Sequence, residues 1–118
     1  MDVVVYSTEW TGDIALGEAL INLLVRRLKE RSVAFKLLEK QGLSDKDDII
    51  PWVVGKPAKV LEVVVDERDR VVAEALLDDV YRDGTAIKQE ALKTARKYIT
   101  DENELNEYAK GLEETYGW

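Results

Sequence analysis

The sequence predicts an α/β chain of mixed-sheet type: β-α-β-(α)-β-β-α, followed by two further helices. Three observations predict it. Val3-Val4-Val5-Tyr6 is rich in β-branched residues and reads as a buried strand. Residues 14–31 carry apolar side chains at helical spacing between that run and a second one, Val33-Ala34-Phe35-Lys36-Leu37-Leu38. Strand, helix and strand of these lengths make a βαβ unit, so the first two strands are expected to be parallel. Lys59-Val60-Leu61-Glu62-Val63-Val64-Val65 is the strongest strand, and the short Gly55-Lys56-Pro57 turn joins it to Ile49-Ile50-Pro51-Trp52-Val53-Val54. A link that short predicts an antiparallel hairpin.

Each element has a local cause. Asp13 offers an acceptor and a negative charge to the free N–H groups that open the first helix. Its apolar positions (Leu16, Leu20, Leu24 and Leu28 among them) cover more than one stripe, as in a helix packed on two sides. Arg26, Arg27, Lys29 and Arg31 complement its negative end. Ser44 caps a short turn beside Asp45, Asp47 and Asp48, a run resembling half a calcium loop without the flanking Gly and terminal Glu. Asp66-Glu67-Arg68-Asp69 opens a helix with Val72, Ala75, Leu76 and Val80 on its face, Val71 and Leu77 alongside, and Gly84 as C-cap. Thr85 begins a helix bearing Ile87, Ala91, Leu92, Ala95, Tyr98 and Ile99. Thr100-Asp101-Glu102 caps the last one, with Leu105, Tyr108, Ala109, Leu112 and Tyr116, and the two form a helical hairpin.

Composition narrows function. A chain of 118 residues has room for one core. It contains no Cys and no His, which removes thiolate nucleophiles, Cys/His zinc sites and imidazole acid–base chemistry. Six acids against Lys110 give residues 100–118 a net charge of −5, leaving −2 of the total −7 for residues 1–99. Without clustered bases, nucleic acid is not an expected partner. No apolar run approaches the ~20 residues of a membrane span, and the start lacks a basic-then-apolar leader, so the expected location is the cytoplasm. Many charged residues and few Asn, Gln and Met lean toward a heat-loving source.

Two segments carry a resemblance. Glu9-Trp10-Thr11-Gly12-Asp13-Ile14 resembles the Glu-Trp-Cys-Gly-Pro-Cys segment of the thioredoxin family, and Ile50-Pro51 resembles its Ile-cis-Pro pair. The likeness covers roughly residues 3–83 in element order. It implies a thioredoxin-like domain over residues 1–84, with residues 85–118 as a helical hairpin packed on that domain or on a dimer partner. It also implies a groove of Trp10, Thr11, Gly12 and Asp13 facing Ile50, Pro51 and Trp52, where an extended peptide pairs as an added strand. The alternative is that both tryptophans are ordinary half-buried aromatics and Pro51 merely starts a strand. Thr11 and Ile14 stand where the family has cysteines, so disulfide exchange is excluded.

Two further motifs bear on chemistry. Gly12 and Gly17 are spaced as in a phosphate loop, but Glu18-Ala19 replaces the Lys and Ser/Thr such a loop requires. Glu9 with Asp66, Glu67 and Asp69 faintly resembles the toprim carboxylate set and would hold Mg²⁺ if the four converged at one sheet edge. The expected function is therefore non-catalytic binding of a protein or peptide, without cofactor and away from membranes. The alternatives are a homo-oligomer built through residues 85–118 and a carboxylate-metal enzyme. Tyr98, Tyr108, Tyr116 and Trp118 would suit such an interface between copies.

Overall fold

The computed structural model describes residues 1–41 and 59–118. Within them the protein is mixed α/β: strands β1 (Asp2–Ser7), β2 (Lys36–Gln41) and β3 (Lys59–Asp66), and helices α1 (Ile14–Glu30), α2 (Arg70–Arg82), α3 (Gly84–Ala95) and α4 (Glu102–Tyr116). A single 3-10 turn, Thr8–Trp10, joins β1 to α1. The expected short turn at 42–48, the strand at 49–54 and its hairpin lie outside the described residues.

The sheet order is β1-β3-β2, with β3 antiparallel to both neighbours. β1 and β2 therefore run in the same direction, as the βαβ reading requires, but they do not pair directly. This corrects the expected parallel pair, and every pairing among the described strands is antiparallel rather than mixed. The cause lies in composition. β3 is apolar on both faces, with Val60, Val63, Val64 and Val65 all buried, so it belongs in the centre. β2 places Lys36, Glu39 and Lys40 among exposed Leu37 and Leu38, a pattern suited to an edge. It also starts at Lys36 rather than Val33, because α1 closes through Ser32 in the left-handed region (φ 56°) and the Val33 N–H returns to the Leu28 carbonyl at 2.9 Å.

A bulge shapes β1. Val4 faces Val64 and Tyr6 faces Val63, leaving Val5 as the extra residue. Simple alternation would put Val5 and Tyr6 on opposite faces. The bulge turns both into the core, where they meet α1 beside Val63 and Val65.

α3 runs antiparallel along α1: the Thr94 hydroxyl donates to the Ala15 carbonyl at 2.5 Å, and farther along Glu90 takes Arg26 (3.1 Å) and Asn22 (3.3 Å). Arg26 thus reaches across to α3 instead of serving its own helix end. Ile87, Ala91 and Ala95, then Leu105, Tyr108 and Leu112 of α4, join Leu16, Leu20, Leu24 and Leu28 in one apolar cluster. Residues 85–118 are thereby continuous with the core of residues 1–84.

On α2 the buried stripe is Ala73, Leu76 and Val80, while Val71 is 78% and Val72 48% exposed. Leu76 and Val80 lie on the buried stripe as expected, whereas Val72 and Ala75 are exposed and Ala73 is buried in the first turn, α2 starting at Arg70 after a 3-10 turn over Glu67–Asp69. Gly84 is not the C-cap of α2. It is the first residue of α3, whose cap is the Asp83 carboxylate accepting from the Ala86 N–H at 3.2 Å. A side chain at Gly84 would collide with Trp118, its Cβ falling 2.2 Å from the indole Cδ1. The left-handed helix end expected there occurs instead at Gly117 (φ 74°), closing α4.

Candidate functional site

The strand-to-helix turn opening α1 is held by hydrogen bonds from both sides. Ser7 Oγ accepts from the Glu9 N–H at 3.2 Å, and Thr8 Oγ1 accepts from the Leu61 N–H of β3 at 3.0 Å. Gly17 lets the first turns of α1 approach Thr8, whose Cγ2 would lie 3.2 Å from an added Cβ. Asp13 caps the helix, its Oδ1 accepting from the Leu16 N–H at 3.0 Å. Its Oδ2 accepts from the Tyr108 hydroxyl of α4 at 2.6 Å. Both carboxylate oxygens have internal partners, so Asp13 fastens α4 to the mouth of α1.

Beneath the turn the Tyr6 hydroxyl meets Thr11 Oγ1. Burial pushes the Tyr6 phenol up to about 12, the Thr11 hydrogen bond opposing and the nearby Tyr81, Tyr116 and Asp13 reinforcing. Burial, then the charge and hydrogen bond of Asp13, also raises Tyr108 far above the ordinary tyrosine range. Both phenols keep their protons in the neutral range, and Tyr108 donates its own to Asp13.

Above this polar layer lie aromatic faces. Trp10 is 62% exposed and stands edge-on to Tyr6, ring centres 5.7 Å apart at 85°. Tyr81, in the last turn of α2, is 48% exposed, and Tyr116, the last residue of α4, is 49%. Tyr116 stacks on Trp118 at 4.4 Å, and Trp118 rests on Gly84 just after α2. Trp10 touches Tyr6, and Tyr81 and Tyr116 lie near enough to the Tyr6 hydroxyl to raise its pKa by charge, so half-exposed rings from three elements distant in sequence surround Tyr6.

Of the expected groove, Trp10, Thr11, Gly12 and Asp13 fall together here, and among the described residues nothing lies within 4 Å of a Cβ added at Gly12. Ile50, Pro51 and Trp52 lie outside the described residues. Thr11 and Asp13 face inward as structural groups, and Trp10 alone of the four presents a large exposed surface. Tyr81 and Tyr6 carried no signal in the sequence beyond being aromatic: Tyr81 sits one residue past the buried Val80, and Tyr6 reaches Thr11 only through the bulge.

The carboxylate alternative does not assemble. Asp66 pairs with Asp2 at the start of β1, whereas Glu9 follows Ser7 at its end, so the full strand separates them, roughly 17 Å. Asp66 instead caps the next turn, accepting from the Arg68 N–H at 3.0 Å, and that bond holds its carboxyl below the usual range. Among the described residues no three Asp or Glu side chains gather as a metal site.

A second concavity, a cleft of about 420 Å³, runs between α1, the β2–β3 edge and the end of α3. Its charges answer one another: Glu18 takes the Tyr98 hydroxyl and Lys97 (3.3 Å), and Lys59 meets Glu39 at 2.9 Å. Among the described residues no helix is long and apolar enough to cross a membrane. No family model, curated protein or solved structure matches the chain.

Proposed function

We propose that this protein works by binding, holding an extended segment of another protein on the aromatic face formed by Trp10, Tyr81 and Tyr116. The observation that carries the reading is the exposure of these three rings, 62%, 48% and 49%, over a floor whose hydroxyls are already bonded. Large aromatic side chains cost stability little and solubility more when left in water, and they dominate binding surfaces when a partner covers them. The rings stand on a 3-10 turn and two helix ends, so they are largely pre-positioned, which lowers the entropy of capture. From the thioredoxin-like resemblance the reading keeps only the segment from Trp10 to Asp13 as part of the binding face. It does not depend on that family's strand order.

The homo-oligomer alternative gains less support. Of Tyr98, Tyr108, Tyr116 and Trp118, the aromatics that would suit an interface between copies, Tyr108 is buried within the single chain and Tyr116 is half exposed.

Peptide display against the chain tests the proposal. Selected peptides are expected to lose about tenfold or more in affinity toward a Trp10→Ala/Tyr116→Ala variant, since buried aromatic anchors are each worth ~2 kcal/mol or more. Both side chains are exposed, so the variant should keep its circular dichroism spectrum. Equal affinity for variant and parent would remove the reading.

A further inference from the structure

Resting on that reading, we infer that the aromatic face is self-occupied: the Trp118 indole fills the place where an aromatic side chain of the captured segment stacks, and capture displaces it. The indole lies nearly parallel to the Tyr116 ring, planes 16° apart and centres 4.4 Å apart. One face of a ring assigned to the partner is thus already taken.

The place is shaped for a flat ring. Gly84 forms its floor, and a Cβ there would collide with the five-membered half of the indole. No backbone demand explains that glycine. It opens α3 outside the left-handed region, Asp83 already supplies the cap, and alanine has the higher helix propensity. What Gly84 provides is room for an aromatic plane against the backbone. Lys88, one turn farther along α3, donates to the Trp118 carbonyl at 3.3 Å. A bare floor, a stacking ring and a donor to a main-chain carbonyl together match one aromatic residue of an extended segment.

The attachment of the indole lets it leave. α4 is fixed by its own buried Leu105, Tyr108 and Leu112, and it closes at Gly117 in the left-handed region (φ 74°). Trp118 is one residue beyond that joint, so rotation at the glycine moves the indole without disturbing the helix. Lys88 keeps Glu113 as its ion-pair partner when the carbonyl goes. The indole is half-buried rather than sealed. An internal ligand on so short a tether competes at an effective concentration of about millimolar or above. Loose aromatic compounds are turned away, and a segment that also engages Trp10 and Tyr81 displaces it.

The test uses N-acetyl-tryptophanamide and its leucine counterpart, titrated while the Gly84 N–H resonance is followed. A Trp118→Ala variant should take up the tryptophan compound at roughly millimolar concentration or below. It should bind the leucine compound about tenfold or more weakly, and the parent chain, its place filled, should bind the tryptophan compound about tenfold or more weakly. A Gly84→Ala/Trp118→Ala variant, whose floor is raised by a methyl group, should lose the binding. A second arm needs no substitution. An aromatic-bearing peptide from the display selection should, at saturation of the parent chain, move the Trp118 indole N–H resonance to the position of tryptophan in water. No uptake by Trp118→Ala, equal binding by the parent, equal binding of the leucine compound, or a Trp118 resonance unmoved by bound peptide would overturn self-occupancy. Peptide binding that survives Trp10→Ala/Tyr116→Ala would instead overturn the aromatic face itself.

Discussion

The two ends of α1 are built by different physics. Toward its C-terminus, Leu24 and Leu28 are wholly enclosed by aliphatic neighbours, with Ile87 and Ala91 of α3 equally sealed in the same cluster. Toward its N-terminus the enclosing groups are hydroxyls and a carboxylate: Tyr6 on Thr11, Tyr108 on Asp13, with Trp10, Tyr81 and Tyr116 half in water. One end is fixed by volume and the other by direction. Filling volume leaves nothing to offer a partner, whereas an end fixed by directional bonds can leave its aromatic faces open without losing shape.

The largest effect should come from breaking the sealed end. Leu24→Ala removes a fully buried side chain where four helices and a sheet leave little room to collapse, at an expected cost of about 2–5 kcal/mol. Domains of this size are stable by only ~5–15 kcal/mol, so the urea midpoint should fall by a substantial fraction. A loss below ~1 kcal/mol would mean that this end is looser than its burial implies.

Alkali tests the other end. The Tyr6 phenol moves from 10.0 to about 12 on folding, so the proton is bound in both states at lower pH. Above pH 10 the unfolded chain ionises first, and stability falls until the folded phenol titrates near pH 12, by about 2–3 kcal/mol in all. Tyr98 and Tyr108 shift in the same direction through burial and act in the same sense. Tyrosinate absorbance followed alongside circular dichroism should show ionisation of these residues coinciding with unfolding. Ionisation of every tyrosine near pH 10 with the fold intact would show the polar end to be solvated.

This contrast also marks what could be read from the sequence. The limits of α1 and β3 followed from apolar spacing and from Asp13, because burial is a repeating demand that leaves a periodic trace. The central place of β3 was not read, although its valines on both faces carried that information. On α2 the burial of Leu76 and Val80 was legible from the same spacing, while Val72 and Ala75 were placed inside and Ala73 was not, the 3-10 turn ahead of the helix hiding where its first turn begins. Of the candidate site, Trp10 to Asp13 was legible as a turn onto a helix. Its partners Tyr81, Tyr108 and Tyr116 come from 68 or more residues away, and a bulge at Val5 decides which way Tyr6 points. Neither tertiary approach nor a single inserted residue leaves a periodic mark.

The smallest effect concerns how firmly the aromatic end is packed. Gly84 is the first residue of α3 and its backbone is outside the left-handed region, so alanine there carries no conformational strain. By helix propensity alone Gly84→Ala should stabilise by a few tenths of a kcal/mol, up to ~1. Its methyl group, however, would stand 2.2 Å from Cδ1 and 2.5 Å from Nε1 of the Trp118 indole, which must then leave its place against Tyr116. The net cost should be about 1–2 kcal/mol, and it should vanish or reverse in a Trp118→Ala background. A thermal-melt cycle over the four proteins measures the coupling directly. If Gly84→Ala costs the same with and without the indole, Trp118 does not hold the end of α4 against the start of α3, and Tyr116 loses the support that keeps it near Tyr6.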